Sequence, residues 1–135
     1  MFNRTLGRAS YAAIFDLLAD APPGTTFIID AWFGFQPIET LIEGLKNAGV
    51  CDLAEIWCHA PPEIMGARYS ERLNTRHAGH PGADDVPALL ALARDAQPTG
   101  LAPRFDVETT SPLNVSALRD WLATVFGKSV LPLIR

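Results

Sequence analysis

The chain has 135 residues, a formal net charge of −4, 48% hydrophobic residues, three Trp and seven Phe. That length suits one domain with one core, and that composition excludes a disordered chain. Mild acidity argues against a nucleic-acid binder driven by net charge, and no apolar run approaches the roughly 20 residues that a membrane helix needs.

No signal peptide is visible in Met1-Phe-Asn-Arg-Thr-Leu-Gly-Arg8, because no apolar stretch leads to a small-residue cleavage site. Ser10 is placed to cap a helix carrying Tyr11, Ile14, Phe15 and Leu18 at helical spacing, with Ala21-Pro-Pro-Gly24 as its stop. Thr25–Ala31 is a β-branched run without alternation and predicts a parallel strand buried on both faces. Trp32-Phe-Gly-Phe35 follows as a bulky loop, read as core packing in preference to a base-stacking platform. Pro37 opens a second helix with the stripe Ile38, Leu41, Ile42 and Leu45, and Gly49 ends it.

Val50–Cys58 predicts a second buried strand, with Cys51 and Cys58 as reduced structural thiols of a cytosolic protein. A Pro pair then begins a helix in which Arg68, Arg72 and Arg76 recur every four residues and fall on one stripe. Like charges so spaced repel by about 0.2–0.5 kcal/mol per pair. Two readings stand: an anion lying across the stripe, or a solvated basic face. Gly79-His-Pro-Gly82 breaks this helix. Asp84 or Asp85 caps the next, with Pro87 in its first turn and Leu89, Leu90 and Leu92 behind. Arg104–Thr109 predicts a third, alternating strand nearer an edge. Asn114 caps a last helix with Val115, Leu118, Leu122 and Val125 on one face before Gly127.

Strands alternating with helices predict an α/β domain with a mostly parallel sheet in three layers. Ligands of such sheets sit at the carboxyl ends of the strands. Those ends would be Asp30-Ala-Trp32, Cys58-His59-Ala60 and Thr109-Thr-Ser111, gathered on one rim. A zinc site assembled from Cys58, His59, His77 and His80 is the weaker reading, since no Cys-x-x-Cys exists and the two later histidines flank a helix break.

Taken together, Ile28-Ile-Asp-Ala-Trp-Phe33, Ile56-Trp-Cys-His-Ala-Pro-Pro-Glu63, Arg68 to Arg76, and Asp106-Val-Glu-Thr-Thr-Ser-Pro112 resemble the P-loop nucleotide kinase-like group. Its relatives include polynucleotide kinase, chloramphenicol phosphotransferase and zeta toxin. The resemblance spans about residues 10 to 127 and rests on the order and spacing of short motifs. It implies a cytoplasmic ATP-dependent phosphotransferase acting on a small-molecule or nucleotide hydroxyl. Arg72 and Arg76 would then be lid arginines that neutralise charge on the transferring phosphoryl group, with Arg68 in support. Thr109, Thr110 and Ser111 would lie beside the adenine base. Asp30 would help place Mg2+, against the alternative of a strand-end residue capping a loop.

The chain departs from that group in having no Gly-x-x-x-x-Gly-Lys-Ser/Thr segment after a first strand. Gly127-Lys-Ser129 does not supply one, because Leu122 stands where the first Gly belongs and a helix precedes it. The acidic residue that accepts the substrate hydroxyl's proton is also missing. ATP affinity is therefore expected to be weak and the chain not active alone. The absent strand is central in that group's sheet, so its loss leaves three expectations. The chain is the later part of a longer protein, its sheet closes differently, or a partner such as a second copy pairs with the exposed edges, and the first is the expectation adopted. The alternative function is a non-catalytic binding or dimerisation module of the same fold.

Overall fold

A computed structural model describes residues 4–33, 37–77 and 80–127, with side chains from residue 7 onward. Phe35, Gly79 and the Lys128–Arg135 tail lie outside the described residues. Helix α1 is Arg4–Ala19, α2 Ile38–Asn47, α3 Pro62–Glu71, α4 Val86–Asp95 and α5 Val115–Phe126. Strand β1 is Glu55–His59 and β2 Arg104–Glu108. The two strands pair in parallel, so the protein is a mixed α/β chain with a small parallel sheet and helices. It divides into two compact units, Met1–Cys51 with Pro62–Gln97, and Asp52–Pro61 with Pro98–Arg135.

The first unit contains α1 to α4. Helix α1 begins upstream of Ser10, so Ser10 lies inside it and does not cap it. Arg, Leu and Ala are good helix formers, and the one intervening Gly7 costs only about 1 kcal/mol. Helix α2 follows Pro37 as expected and buries Leu41, and the chain leaves it through Gly49 at φ 69°. The Phe33 ring lies 4.9 Å from Tyr11 and 6.4 Å from Phe15 between centroids, so Phe33 packs back onto α1. The Tyr11 hydroxyl donates to the Trp32 carbonyl and fastens the same loop.

Between those contacts, Thr25–Ala31 forms no strand. Thr25 to Asp30 are all exposed, and Ile28 is 94% exposed. Strand preference measures how well a side chain fits a pleated, half-buried surface beside a neighbour. Here no ladder neighbour is present among the described residues, so the β-branched run stays irregular.

Helices α3 and α4 approach closely. A Cβ built on Gly66 would stand 2.6 Å from Leu90 Cδ2, so the glycine is what lets α4 lie there. Helix α4 has Pro87 in its first turn and half-buries Leu89, Leu90 and Leu92, as its pattern predicts. The Arg94–Glu63 pair joins the helices at 3.4 Å, but both groups are exposed and such a pair contributes little.

The second unit contains the sheet and α5. The register is Glu55 with Arg104 through His59 with Glu108. The Glu55 N–H donates to the Pro103 carbonyl at 2.9 Å, and Pro103 has no N–H to extend the ladder backwards. That explains why β1 is shorter than the expected Val50–Cys58. Residues paired in register share a face. Phe105 and buried Val107 look toward α5, where the Phe105 and Trp121 rings stand 5.4 Å apart. Their partners Ile56 and Cys58 are exposed, so β1 is covered less than the sequence predicts and Cys58 is not a core thiol. Arg104, Asp106 and Glu108 form the exposed alternation expected of β2. Helix α5 starts where predicted, with the Asn114 side chain accepting from the Ala117 N–H at 3.0 Å.

Glu55 fixes the approach to β2. Its carboxylate accepts from the Thr99 N–H at 2.8 Å and the Thr99 hydroxyl at 2.9 Å.

Burial raises the Tyr11 phenol above its ordinary value of 10.0. A raised value means the folded state holds the proton more tightly. The associated stability is complete below pH 10 and lost as pH rises through the folded-state value. Tyr11→Phe should cost about 1 kcal/mol at neutral pH through the lost hydrogen bond. Urea unfolding across the alkaline range should show the two proteins converging as pH rises; a constant gap would mean that the phenol does not titrate differently on folding.

Candidate functional site

Helix α3 begins at Pro62, as the Pro pair predicts, but it does not carry all three arginines. It ends at Glu71, a single tight turn spans Leu73–Thr75, and Arg76 has extended backbone at φ −81°, ψ 149°. The Arg72 carbonyl is claimed by the Thr75 N–H at 3.1 Å, the Arg76 N–H at 3.1 Å and the Thr75 hydroxyl at 3.0 Å. A threonine hydroxyl competing for that carbonyl, in an Asn-Thr pair of poor helix formers, ends the helix. Escape from repulsion along the stripe acts in the same direction. The expected single Arg stripe is thus broken after Arg68.

Its three members acquire different roles. Arg68 stays on the last turn of α3 and is half-buried. Arg72 is exposed, and its Nε donates to the Arg68 carbonyl at 3.0 Å. Arg76 swings back over α3, with its guanidinium carbon 4.3 Å from the Tyr69 ring centroid. The Tyr69 hydroxyl donates to the Pro81 carbonyl at 2.8 Å. Helix α3 is therefore tied to both sides of the turn that follows it.

An open hollow of about 340 Å³ is lined by Leu73, Asn74, Arg76, His77, His80, Pro81, Gly82 and Ala83. Its size lies at the small end of ligand sites. Arg76 brings a permanent positive charge and a planar fork of donors, and each imidazole can donate at least one N–H. Asp85 accepts from the N–H of the lining residue Gly82 at 2.8 Å. The donors suit a small oxyanion. His77 and His80 line this hollow, and no cluster of three or more metal-ligating side chains occurs among the described residues.

The other predicted site residues lie elsewhere. Asp30 is exposed in the irregular Thr25–Ala31 segment of the first unit, not at a strand end. Magnesium is commonly held by one or two carboxylates with phosphates and water. Among the described residues Asp30 belongs to no group of three or more side chains able to hold a metal ion.

Thr109, Thr110 and Ser111 belong to the second unit, in the turn after β2. Thr109 donates to the His59 carbonyl through its N–H at 2.8 Å and its hydroxyl at 3.1 Å, which prolongs the parallel ladder. The Thr110 hydroxyl and N–H both donate to Glu108 Oε1. The Thr109 hydroxyl proton is thus engaged by β1, and that of Thr110 by Glu108 at the end of β2.

Sequence reasoning missed Tyr69 and the joint placement of Arg76, His77 and His80. The usable signal was His80-Pro-Gly82, a turn that returns the chain toward α3. No family model, curated protein or solved structure matches the chain.

Since Arg76 lines the hollow and Arg72 is turned onto a backbone carbonyl, their substitutions should differ. Charged hydrogen bonds contribute about 1.5–3 kcal/mol, so Arg76→Ala should weaken inorganic pyrophosphate binding by roughly tenfold or more in isothermal titration. Arg72→Ala should change it much less. Equal losses would show a diffuse basic surface in place of a site.

Proposed function

We propose that this chain is part of a P-loop kinase-like α/β domain, with a mostly parallel sheet in three layers, and that its hollow after α3 receives a phosphoryl group. The reaction would be transfer from ATP, with Mg2+, to a hydroxyl of a small molecule or nucleotide. The observation that carries this reading is the convergence of Arg76, His77 and His80 on one hollow at the end of the Arg-rich helix. A guanidinium beside the transferring group would stabilise charge spreading over its oxygens. Arg68 and Arg72 add positive potential along the same stretch without having to touch the phosphate. Asp30 remains the proposed carboxylate for magnesium, and Thr109 to Ser111 the proposed turn beside the base.

The sheet supports the expectation of altered closure. In the proposed group a phosphate-loop strand is central, whereas β1 and β2 pair here directly. Weak nucleotide affinity and dependence on a complementing segment follow from that difference.

A second reading is favoured by Phe27, Ile28 and Ile29, which are 44%, 94% and 36% exposed in consecutive positions. Such a stretch would serve a non-catalytic module that binds or dimerises by strand addition.

Melting temperature with and without Mg-ATP separates the two. Ligand at ten times its dissociation constant adds about 1.4 kcal/mol, which for a chain of this size is a rise of roughly 3–6 °C. The kinase reading predicts that rise, and its loss in Arg76→Ala. A stable dimer unmoved by Mg-ATP would establish the module instead.

A further inference from the structure

We propose that Tyr69 is the positioning residue of the hollow: it holds Arg76 by its ring and Pro81 by its hydroxyl, and so sets the geometry with which Arg76 meets an oxyanion. This rests on the reading of the hollow as a phosphate-receiving site. Tyr69 stands on α3 behind the hollow, whose wall includes both Arg76 and Pro81. Its two attachments are of different kinds. The hydroxyl donates 2.8 Å to the Pro81 carbonyl, which fixes the returning strand of the turn. The ring lies 4.3 Å from the Arg76 guanidinium carbon, which fixes the outgoing strand. One half-buried side chain therefore holds two residues of the hollow's lining, Arg76 and Pro81.

The chemistry of the ring contact matters as much as its place. A carboxylate partner would orient Arg76 by consuming its N–H donors. An aromatic face attracts the cation through the ring quadrupole and leaves the in-plane donors available. A guanidinium held in that way keeps the fork that binds phosphate bidentately. Tyr69 thus orders a long side chain in advance without competing for the ligand, which reduces the ordering cost of binding.

The test uses Tyr69→Phe, Tyr69→Leu, Arg76→Ala and the double variant Tyr69→Leu/Arg76→Ala of the full chain, with inorganic pyrophosphate as probe. The side-chain Nε–H resonance of Arg76 is identified by its loss in Arg76→Ala. Tyr69→Leu should shift that resonance in the ligand-free protein, because the ring current is removed. It should also weaken pyrophosphate binding by about tenfold, which is 1.4 kcal/mol. Tyr69→Phe keeps the ring and should fall between Tyr69→Leu and the parent chain, and it guards against a Leu variant that fails to fold. If Tyr69 acts through Arg76, Tyr69→Leu should cause no further loss in the Arg76→Ala background.

An unmoved Arg76 resonance in both Tyr69 variants overturns the proposal. So do additive losses in the double variant, or full affinity in both Tyr69 variants while Arg76→Ala loses binding. These results leave the phosphate reading standing. Absence of pyrophosphate binding by the parent chain overturns the phosphate reading and the positioning role together.

Discussion

The close approach of α3 and α4 is the constraint on which the candidate site depends. Gly66 leaves room for the Leu90 side chain, which lies 2.6 Å from where a Cβ would stand, and α4 returns alongside the helix it follows. The chain then has only the segment from Arg72 to Asp85 in which to reverse. Within that segment α3 has already ended at Glu71. The reversal bends the backbone after Glu71, turns Arg76 back over Tyr69 and brings Pro81 to the Tyr69 hydroxyl. The hollow is the space left inside that reversal. Its N–H donors are there because the sequence around the turn is Arg76-His77, then His80-Pro81.

Elements governed by local chemistry were legible in the sequence. Asn114 caps α5, Pro87 opens α4, Pro62 opens α3, and α2 buries Leu41 from the stripe that predicts it. These features need only neighbours within a turn or two. The parallel pairing of two strands across α3 and α4 was legible too, from their order.

Features that need a distant partner were not. Thr25–Ala31 has the composition of a strand, but a strand exists only beside another, and none is present for it among the described residues. Val50–Cys58 reads as one apolar run, yet its ladder begins only where Pro103 lets β2 begin. The Arg stripe was a correct periodicity and an incorrect helix, because Thr75 and the reversal compete with propagation beyond Glu71. Site residues followed the same division. Arg76 lines the hollow, Arg72 donates through Nε to a backbone carbonyl, and Asp30 lies outside any strand. Tyr69 went unnoticed because its contacts, with Arg76 and Pro81, arise only from the turn's closure.

Few side chains are deeply buried: Leu41, Ala60 and Val107 form the buried hydrophobic set among the described residues. Ile28, Ile29 and Ile56 remain at the surface. Apolar surface of that kind costs free energy in water and favours further association. It is compatible with either reading of function, since a complementing strand or a second copy would cover the same groups.

The most direct test is a map of backbone and side-chain NMR shifts as inorganic pyrophosphate is added to the full chain. A phosphate-receiving hollow predicts that the largest changes cluster on Arg76, His77, His80 and the 81–83 segment, with Arg72 and Thr109–Ser111 changing less. Changes spread evenly over all exposed basic residues, or centred away from residues 73–83, would contradict it.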